Sequence, residues 1–252
     1  MQSLAGKLII TTQPADQAGE LMNILLDRGA RVINLPMIRT RTLDIGKENV
    51  KEALAKGKFH LLIFTSKKGV RGFFGNIIRY FGGAFLPENL KIAVTGISTM
   101  KETEKFGYKV HYLNPGTTAE DLALYLKDKI IQANDRVLLV QGTRAPGFLF
   151  EALSQKASVK RLDVYETVAV KEIDGSLADY IREDKVDICI FTSPSGFYNY
   201  LEFFSDYNNL KLAAIGKTTA AAINEAGYEV SLIAPYPSPE SLADAVESFF
   251  TK

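Results

Sequence analysis

Six short turns hold most of the side chains in this sequence that could touch a ligand, and they share one chemistry. They fall at 11–14, 65–69, 96–99, 142–144, 192–196 and 216–219, each between an apolar run and a helical pattern. Thr192, Ser193, Pro194, Ser195 and Gly196 typify them, standing between the apolar run 186–191 and Phe197, Tyr200, Leu201 and Phe204 at helical spacing. A Pro placed to open a helix, a Gly and several hydroxyls make a strand-to-helix turn whose N–H and O–H groups point at an anion. Thr65, Ser66 and Lys67, then Gly96 and Ser98, then Gly142 and Arg144, and finally Gly216, Lys217, Thr218 and Thr219 repeat that character. Lys67, Lys68, Arg71, Arg144 and Lys217 supply cations beside the backbone donors.

Stronger chemistry is missing from the sequence. His60 opens a strand and His111 lies inside one, so both read as structural, and no His or Cys cluster suits a metal. Ser193 and Ser195 lack the pattern of a nucleophile elbow. Gly216, Lys217 and Thr218 resemble the end of a phosphate-binding P-loop, but Lys211 occupies the position of its first glycine, which argues against ATP. Cys189 is the single cysteine, in an apolar run that favours a buried, inert thiol. Ordinary helix capping explains any one turn. Six turns in two matched sets instead suit a ligand with many anionic groups, expected to lie in a cleft between domains.

The elements that carry these turns alternate along the chain. Apolar runs at 7–12, 31–35, 60–64, 92–95, 110–113, 136–141, 186–191, 212–215 and 230–233 read as strands. Helical patterns follow most of them, the signature of an α/β protein with parallel sheets flanked by helices. Segments 36–43 and 159–173 read as extended connectors. The second half also repeats the first. Phe59 to Val70 matches Val186 to Phe197 at an offset of 127, and Leu90 to Gly96 matches Leu210 to Gly216 at 120. Two similar domains follow, formed either by each half alone or with the first units exchanged. Ligand turns then lie at the C-terminal strand ends, where such sheets bind.

A length of 252 residues allows two ordinary domains, and a net charge of +1 argues against bulk nucleic-acid binding. No apolar run approaches the length of a membrane span. The first residues lead directly into a strand without a charged-then-apolar leader, so a cytoplasmic protein is expected.

The motifs Phe191-Thr-Ser-Pro-Ser-Gly, Ala213-Ala-Ile-Gly-Lys-Thr-Thr with Gly227, and Pro237-Ser-Pro-Glu-Ser-Leu resemble the uroporphyrinogen-III synthase family. Ile63-Phe-Thr-Ser, Val94-Thr-Gly, Val164-Tyr-Glu-Thr and Leu35-Pro-Met-Ile-Arg fit that family in order, so the resemblance spans essentially the whole chain. It implies the exchanged arrangement: one domain from 1–35 plus 172–252, a second from 43–162, and a two-stranded connector from 36–42 and 163–171. It also implies a cofactor-free lyase that cyclises linear hydroxymethylbilane, with ring D inverted and water lost.

On that resemblance the ligand is a tetrapyrrole with eight carboxylates, and neither nucleic acid nor membrane is a partner. Transient contact with hydroxymethylbilane synthase is implied. The electron-rich pyrrole expels hydroxide with modest acid help, so the enzyme's main task is to bring the substituted carbon of the last ring to the reacting centre. Tyr165 matches the family's connector tyrosine and is expected to assist hydroxide departure as a hydrogen-bond donor or acid. The family's usual Arg is replaced by Gln13 in the first turn and by Gln141 before Gly142, which shifts weight to backbone donors. A monomer with hinge motion across thin connectors is expected. The competing reading from the turns alone is a cytosolic two-domain anion-binding or sensor protein without catalysis.

Overall fold

The computed structural model describes residues 3–183, 185–205 and 210–251. The outer ends of the expected first domain, at residues 1, 2 and 252, lie outside these. In chain order the elements begin with β1 (Leu8–Thr11), α1 (Gly19–Asp27), β2 (Arg31–Asn34), β3 (Ile38–Thr42), α2 (Lys47–Leu54), β4 (Leu61–Phe64) and α3 (Lys67–Phe81). They continue with β5 (Lys91–Val94), α4 (Ile97–Glu104), β6 (Tyr112–Leu113), α5 (Ala119–Tyr125), β7 (Arg136–Gly142), α6 (Phe148–Ser154) and β8 (Ser158–Ala169). The last are α7 (Gly175–Arg182), β9 (Ile188–Phe191), α8 (Pro194–Phe204), β10 (Leu212–Ala214), α9 (Lys217–Glu225), β11 (Leu232–Ile233) and α10 (Pro239–Thr251).

Contacts divide the chain into two compact units, Met1–Arg39 with Val168–Lys252, and Thr40–Thr167. The first holds a five-stranded sheet in the order β11-β10-β9-β1-β2, and the second sheet runs β6-β5-β4-β7-β8-β3. In the first sheet β11–β10, β10–β9, β9–β1 and β1–β2 pair in parallel, as do β6–β5, β5–β4, β4–β7 and β7–β8 in the second. β3 closes the second sheet's edge. Leu43 N–H donates to Val164 O and Val170 N–H to Met37 O, so β3 and β8 run in opposite directions. The fold is α/β, with two mostly parallel sheets flanked by helices.

The strands are buried on both faces because helices cover both. β1, β4 and β9 are buried at every position, and alternate residues feed opposite layers. Leu8 and Ile10 enter one core layer while Ile9 enters the other. In the second unit Leu62 and Phe64 face one layer and Leu61 and Ile63 the other. Aromatic rings dominate one layer of each unit. Phe64 meets Phe73 edge-on at 5.6 Å, and Phe191 meets Tyr200 edge-on at 5.2 Å, the same positions in the repeat. Burying each ring stabilises by about 1.5–3 kcal/mol.

Three local differences from the sequence reading have physical causes. Helix α7 is absent from the sequence reading: it is eight residues long and directly follows an extended connector, with Ala178 and Ile181 buried, Tyr180 packed beside them and Asp174 capping it at Ser176 N–H. Helix α6 begins at Phe148, not directly after Arg144, because the turn from Thr143 runs on to Gly147. Helix α5 opens with a Thr118 cap, completed as a reciprocal box by Asp121, and then continues as a π turn over Leu126–Ile130. His60 and His111 precede their strands, and each Nδ1 accepts a backbone N–H, from Arg136 and Ile92 respectively. Cys189 is fully buried, and burial pushes its thiol well above the usual range.

Candidate functional site

Parallel sheets leave a crevice at the C-terminal strand ends where the chain switches direction across the sheet. In the second unit that point lies between β4 and β7, and a pocket of 490 Å³ opens there. Thr65 directly follows β4, Thr95 directly follows β5, Gln141 lies near the end of β7 and Tyr165 comes from β8; all four line it. Glu120 and the apolar Phe148, Leu149 and Pro146 complete much of the wall. The hydroxyls of Thr65 and Thr95 donate back to the Val140 and Thr65 carbonyls, at 3.4 and 3.0 Å. Their oxygens therefore face a ligand as acceptors in this arrangement.

Tyr165 is seated by four devices. The β7–β8 register shifts at Gln141/Gly142, so that Asp163 pairs with Gln141 but Tyr165, two residues on, pairs with Gly142. Such a shift re-aims a side chain. Thr143 N–H then donates to the Tyr165 carbonyl at 3.0 Å. The ring occupies the space above Gly142, where a Cβ would fall 2.5 Å from the ring carbon Cζ. Finally, Ser66 Oγ donates to the Tyr165 phenolic oxygen at 3.1 Å. With its oxygen accepting that bond, the phenol keeps its own proton to give.

Gln141 is 1% exposed, and its amide meets a guanidinium from the neighbouring strand. Its Oε1 accepts from Arg161 Nε at 2.8 Å and Nη1 at 3.1 Å. The single Arg161 Nε hydrogen is shared with Asp163 at 2.8 Å, and Nη2 donates to Thr143 O at 3.0 Å. The guanidinium thus clamps the amide and the turn after β7 together.

In the first unit a pocket of 680 Å³ opens at the ends of β9 and β10. Thr192, Ser193, Gly216, Lys217, Thr218 and Thr219 line it, with the 233–237 segment opposite. Here the turns divide by their caps. Ser193 and Ser66 are N-caps whose side chains accept from Gly196 and Gly69 N–H, at 3.1 and 3.0 Å. Helices α9 and α4 begin instead at Gly216 and Gly96, in extended backbone, and no side chain caps either. Their first-turn N–H groups keep the anion-binding character, which the capped turns have largely given to their own serines. A larger groove of 740 Å³ between β11 and α10 contains none of the expected site residues.

The remaining expected residues are placed less directly. Gly196 is buried, its N–H engaged by Ser193, and Ser195 Oγ lies 3.3 Å from Ser193 Oγ outside the pocket wall. Lys67, Ser98 and Arg144 are exposed on their turns and do not line the second unit's pocket, nor does Gly96. Ser66 and Gly142 reach it through Tyr165. Arg71 is committed to Glu102 at 2.6 and 3.1 Å, and its hydrogen bonds hold that carboxyl below the usual range against the opposing effect of burial. Lys68 donates to Thr40 at 2.6 Å. Among the described residues no group of His, Cys, Asp and Glu could hold a metal ion, and no helix is long and apolar enough to cross a membrane. Sequence reasoning missed Thr95 and Gln141 as pocket residues. Their position at a strand end, matching Thr65, was the available signal.

Comparison with known proteins adds to this geometry. The family model described as uroporphyrinogen-III synthase HemD matches residues 19–244. The chain is 26% identical over 251 residues to a uroporphyrinogen-III synthase of Chlorobaculum parvum, covering 95% of this chain and 98% of that one. A Synechococcus elongatus uroporphyrinogen-III synthase is 26% identical, covering 92% and 86%. Among solved structures, the uroporphyrinogen-III synthetase of Helicobacter pylori superposes with a TM-score of 0.61 at 20% identity, covering 94% and 97%.

Proposed function

This chain belongs to the uroporphyrinogen-III synthase family, and from that premise we propose how its residues carry out the family's reaction. That reaction cyclises hydroxymethylbilane to uroporphyrinogen III, with ring D inverted and water lost, in tetrapyrrole biosynthesis. Membership supports this catalytic reading and not the non-catalytic anion-binding alternative.

The leaving group is a hydroxyl on a carbon attached to a pyrrole. Electron release from the pyrrole nitrogen breaks the carbon–oxygen bond, and a proton delivered to the oxygen lets it depart as water. Tyr165 supplies that proton or hydrogen bond. The observation that carries this assignment is the Ser66 bond to the phenolic oxygen, which leaves the Tyr165 proton directed elsewhere. A neutral hydroxyl leaving group on so activated a carbon needs only a weak acid. The electrophilic carbon then closes on the substituted carbon of the last ring; the older methylene bond to that carbon breaks, the released carbon re-forms its bond at the ring's free α-carbon, and that carbon's proton is lost, which inverts the ring. Thr192, Ser193, Lys217, Thr218, Thr219 and the open N-terminus of α9 hold substrate carboxylates in the first unit, with Gly216 permitting close approach. In the second unit, Thr65 supports the substrate from the Tyr165 pocket.

The test is turnover of enzymatically generated hydroxymethylbilane by Tyr165→Phe, with the type I and type III products separated. The variant is expected to lose about 10²-fold or more in rate of type III formation. Full turnover by Tyr165→Phe would remove the acid role.

Spontaneous closure of this substrate gives the uninverted isomer, so supply by transient contact with hydroxymethylbilane synthase in the cytoplasm is part of the proposal. Chemical cross-linking during turnover should trap a complex of the two enzymes if transfer is direct. Type III product formed with no such complex would remove the contact.

A further inference from the structure

We propose that the second unit's pocket holds the pyrrole ring bearing the hydroxymethyl group, and that the Glu120 carboxylate accepts its N–H and stabilises the cation formed as the hydroxyl leaves. The inference rests on the synthase reading and names which part of the substrate the Tyr165 pocket recognises.

The polar wall of that pocket accepts more than it donates. Thr65 and Thr95 direct their protons to backbone carbonyls at 3.4 and 3.0 Å, so each presents oxygen lone pairs. Glu120, an acceptor when ionised, forms no hydrogen bond or ion pair with the described residues. Gln141 is 1% exposed with its oxygen on Arg161, so it offers the pocket no donor. Tyr165 is left as the side chain with a proton to give. Among the described residues no lysine or arginine lines the pocket, while Phe148, Leu149 and Pro146 make the rest of the wall apolar. Such a wall repels a carboxylate. It suits a flat ring that carries one N–H and becomes positive, and 490 Å³ has room for one substituted pyrrole.

The internal repeat sharpens the contrast. At an offset of 120, Glu120 corresponds to Glu240 and Ile97 to Lys217. In the first unit Lys217 lines the strand-end pocket, and Glu240 lines the separate groove beside α10. In the second unit the carboxylate lines the strand-end pocket, and Ile97 stands where the cation would be. Equivalent positions in the two units therefore give pockets of opposite charge, one suited to carboxylates and one to a cation.

As the carbon–oxygen bond breaks, the pyrrole nitrogen's electron pair moves through the ring to form a double bond to the exocyclic carbon. The Tyr165 proton departs with the oxygen as water, leaving a phenolate and an azafulvenium cation whose N–H stays on nitrogen. The proton that the last ring later loses returns the phenolate to the phenol. A carboxylate on the pyrrole N–H stabilises this cation more than the neutral ring, so it lowers the barrier and not only the energy of the bound substrate. Glu120 is exposed, and a ring filling the pocket excludes water beside it, which strengthens the attraction.

The experiment measures kcat and KM for type III formation from hydroxymethylbilane, together with melting temperature, in wild type, Glu120→Gln and Glu120→Lys. Glu120→Gln keeps the shape and removes the charge. It should lower kcat about tenfold or more with KM unchanged or lower. Glu120→Lys sets a like charge beside the forming cation and should lower kcat further; if it does not fold, Glu120→Gln decides alone. Glu120 also lies in the first turn of α5, where an acidic residue is favourable, so both variants should melt slightly lower. A lower melting temperature with kcat intact makes Glu120 a structural residue and overturns the inference. So does a Glu120→Lys chain with lower KM and full kcat, the result expected if the pocket took a carboxylate. A wild-type chain that forms no type III product would overturn the synthase reading itself, a result distinguishable from either.

Discussion

Ser66 Oγ accepts the Gly69 N–H at 3.0 Å and donates to the Tyr165 phenolic oxygen at 3.1 Å, so one hydroxyl both caps helix α3 and aims a phenol. The two duties can be separated. Ser66→Asp keeps a good cap and places a negative charge at a helix N-terminus, where it is favourable. Its carboxylate, however, can only accept, and it would draw the Tyr165 proton toward itself. The expected outcome is an unchanged melting temperature with turnover reduced about 10²-fold. Ser66→Ala should instead lower stability by about 1 kcal/mol through loss of the cap. Wild-type turnover in Ser66→Asp would show that the phenol is aimed by something else.

Gly142 is the floor on which the Tyr165 ring rests. A Cβ there would lie 2.5 Å from Cζ and 2.6 Å from Cε2, atoms of a rigid ring. Gly142→Ala is expected to displace the ring, lowering turnover as far as Tyr165→Phe does while costing about 1–3 kcal/mol of stability. Gly147→Ala provides the contrast, since its Cβ would meet the Glu151 carboxylate at 2.8 Å, the far end of a side chain that can move. Kinetics and denaturation of both variants check this. Equal activity in the two would remove the seat from the account.

Acid should weaken the second unit through His111. Burial, with Lys91 and Lys109 nearby, holds its imidazole below the usual value, and Nδ1 accepts the Ile92 N–H at 3.1 Å. Because the folded pKa lies below the unfolded one, the unfolded chain binds the proton more readily between them. The stabilising contribution is complete above the unfolded value, near 6.5, and is lost as pH falls through the folded value. Melting temperature measured across that window should fall in wild type and less steeply in His111→Asn. Parallel curves would assign the acid sensitivity to other groups.

Tyr200 carries a buried hydroxyl with no partner among the described residues. Its ring stacks on Phe204 at 4.7 Å and meets Phe191 edge-on at 5.2 Å, contacts that phenylalanine would keep. Burial pushes the phenol well above its usual range, so it contributes no charge. Tyr200→Phe should leave stability unchanged or raise it by about 1–3 kcal/mol, the cost of an unsatisfied buried group. A denaturation midpoint below wild type would reveal a partner for the hydroxyl.

The parallel strands and their ligand turns were legible because runs such as Leu61–Phe64 and Ile188–Phe191 are apolar throughout and end in hydroxyls. The choice between cap and ligand donor was not. Ser66 and Ser193 present the same sequence pattern whether their oxygens face a helix or a substrate, and only the 3.0 and 3.1 Å contacts to Gly69 and Gly196 decide. Gln141 read as a lost cation because its neighbour in space, Arg161, lies on the next strand. Side-chain partners across a sheet depend on register, and the shift at Gln141/Gly142 has no signature in either strand alone. Helix α7 escaped for a simpler reason: at eight residues it is short, and it directly follows an extended connector.

Ile9 pairs with Ile188, a partner that is synthesised 179 residues later. At translation rates of 5–20 residues per second, β1 waits roughly ten to thirty-five seconds for the strand that pairs with its second edge. Thr40–Thr167 is contiguous and has all its strands before β9 emerges from the ribosome. The nascent chain therefore passes through a stage in which one unit can be folded while Leu8–Thr11, buried at every position in the finished sheet, lacks its neighbour. Chains truncated before β9 should show 40–167 resistant to protease and 8–34 cleaved. Such a stage invites chaperone capture, and the burden falls on the segment made first.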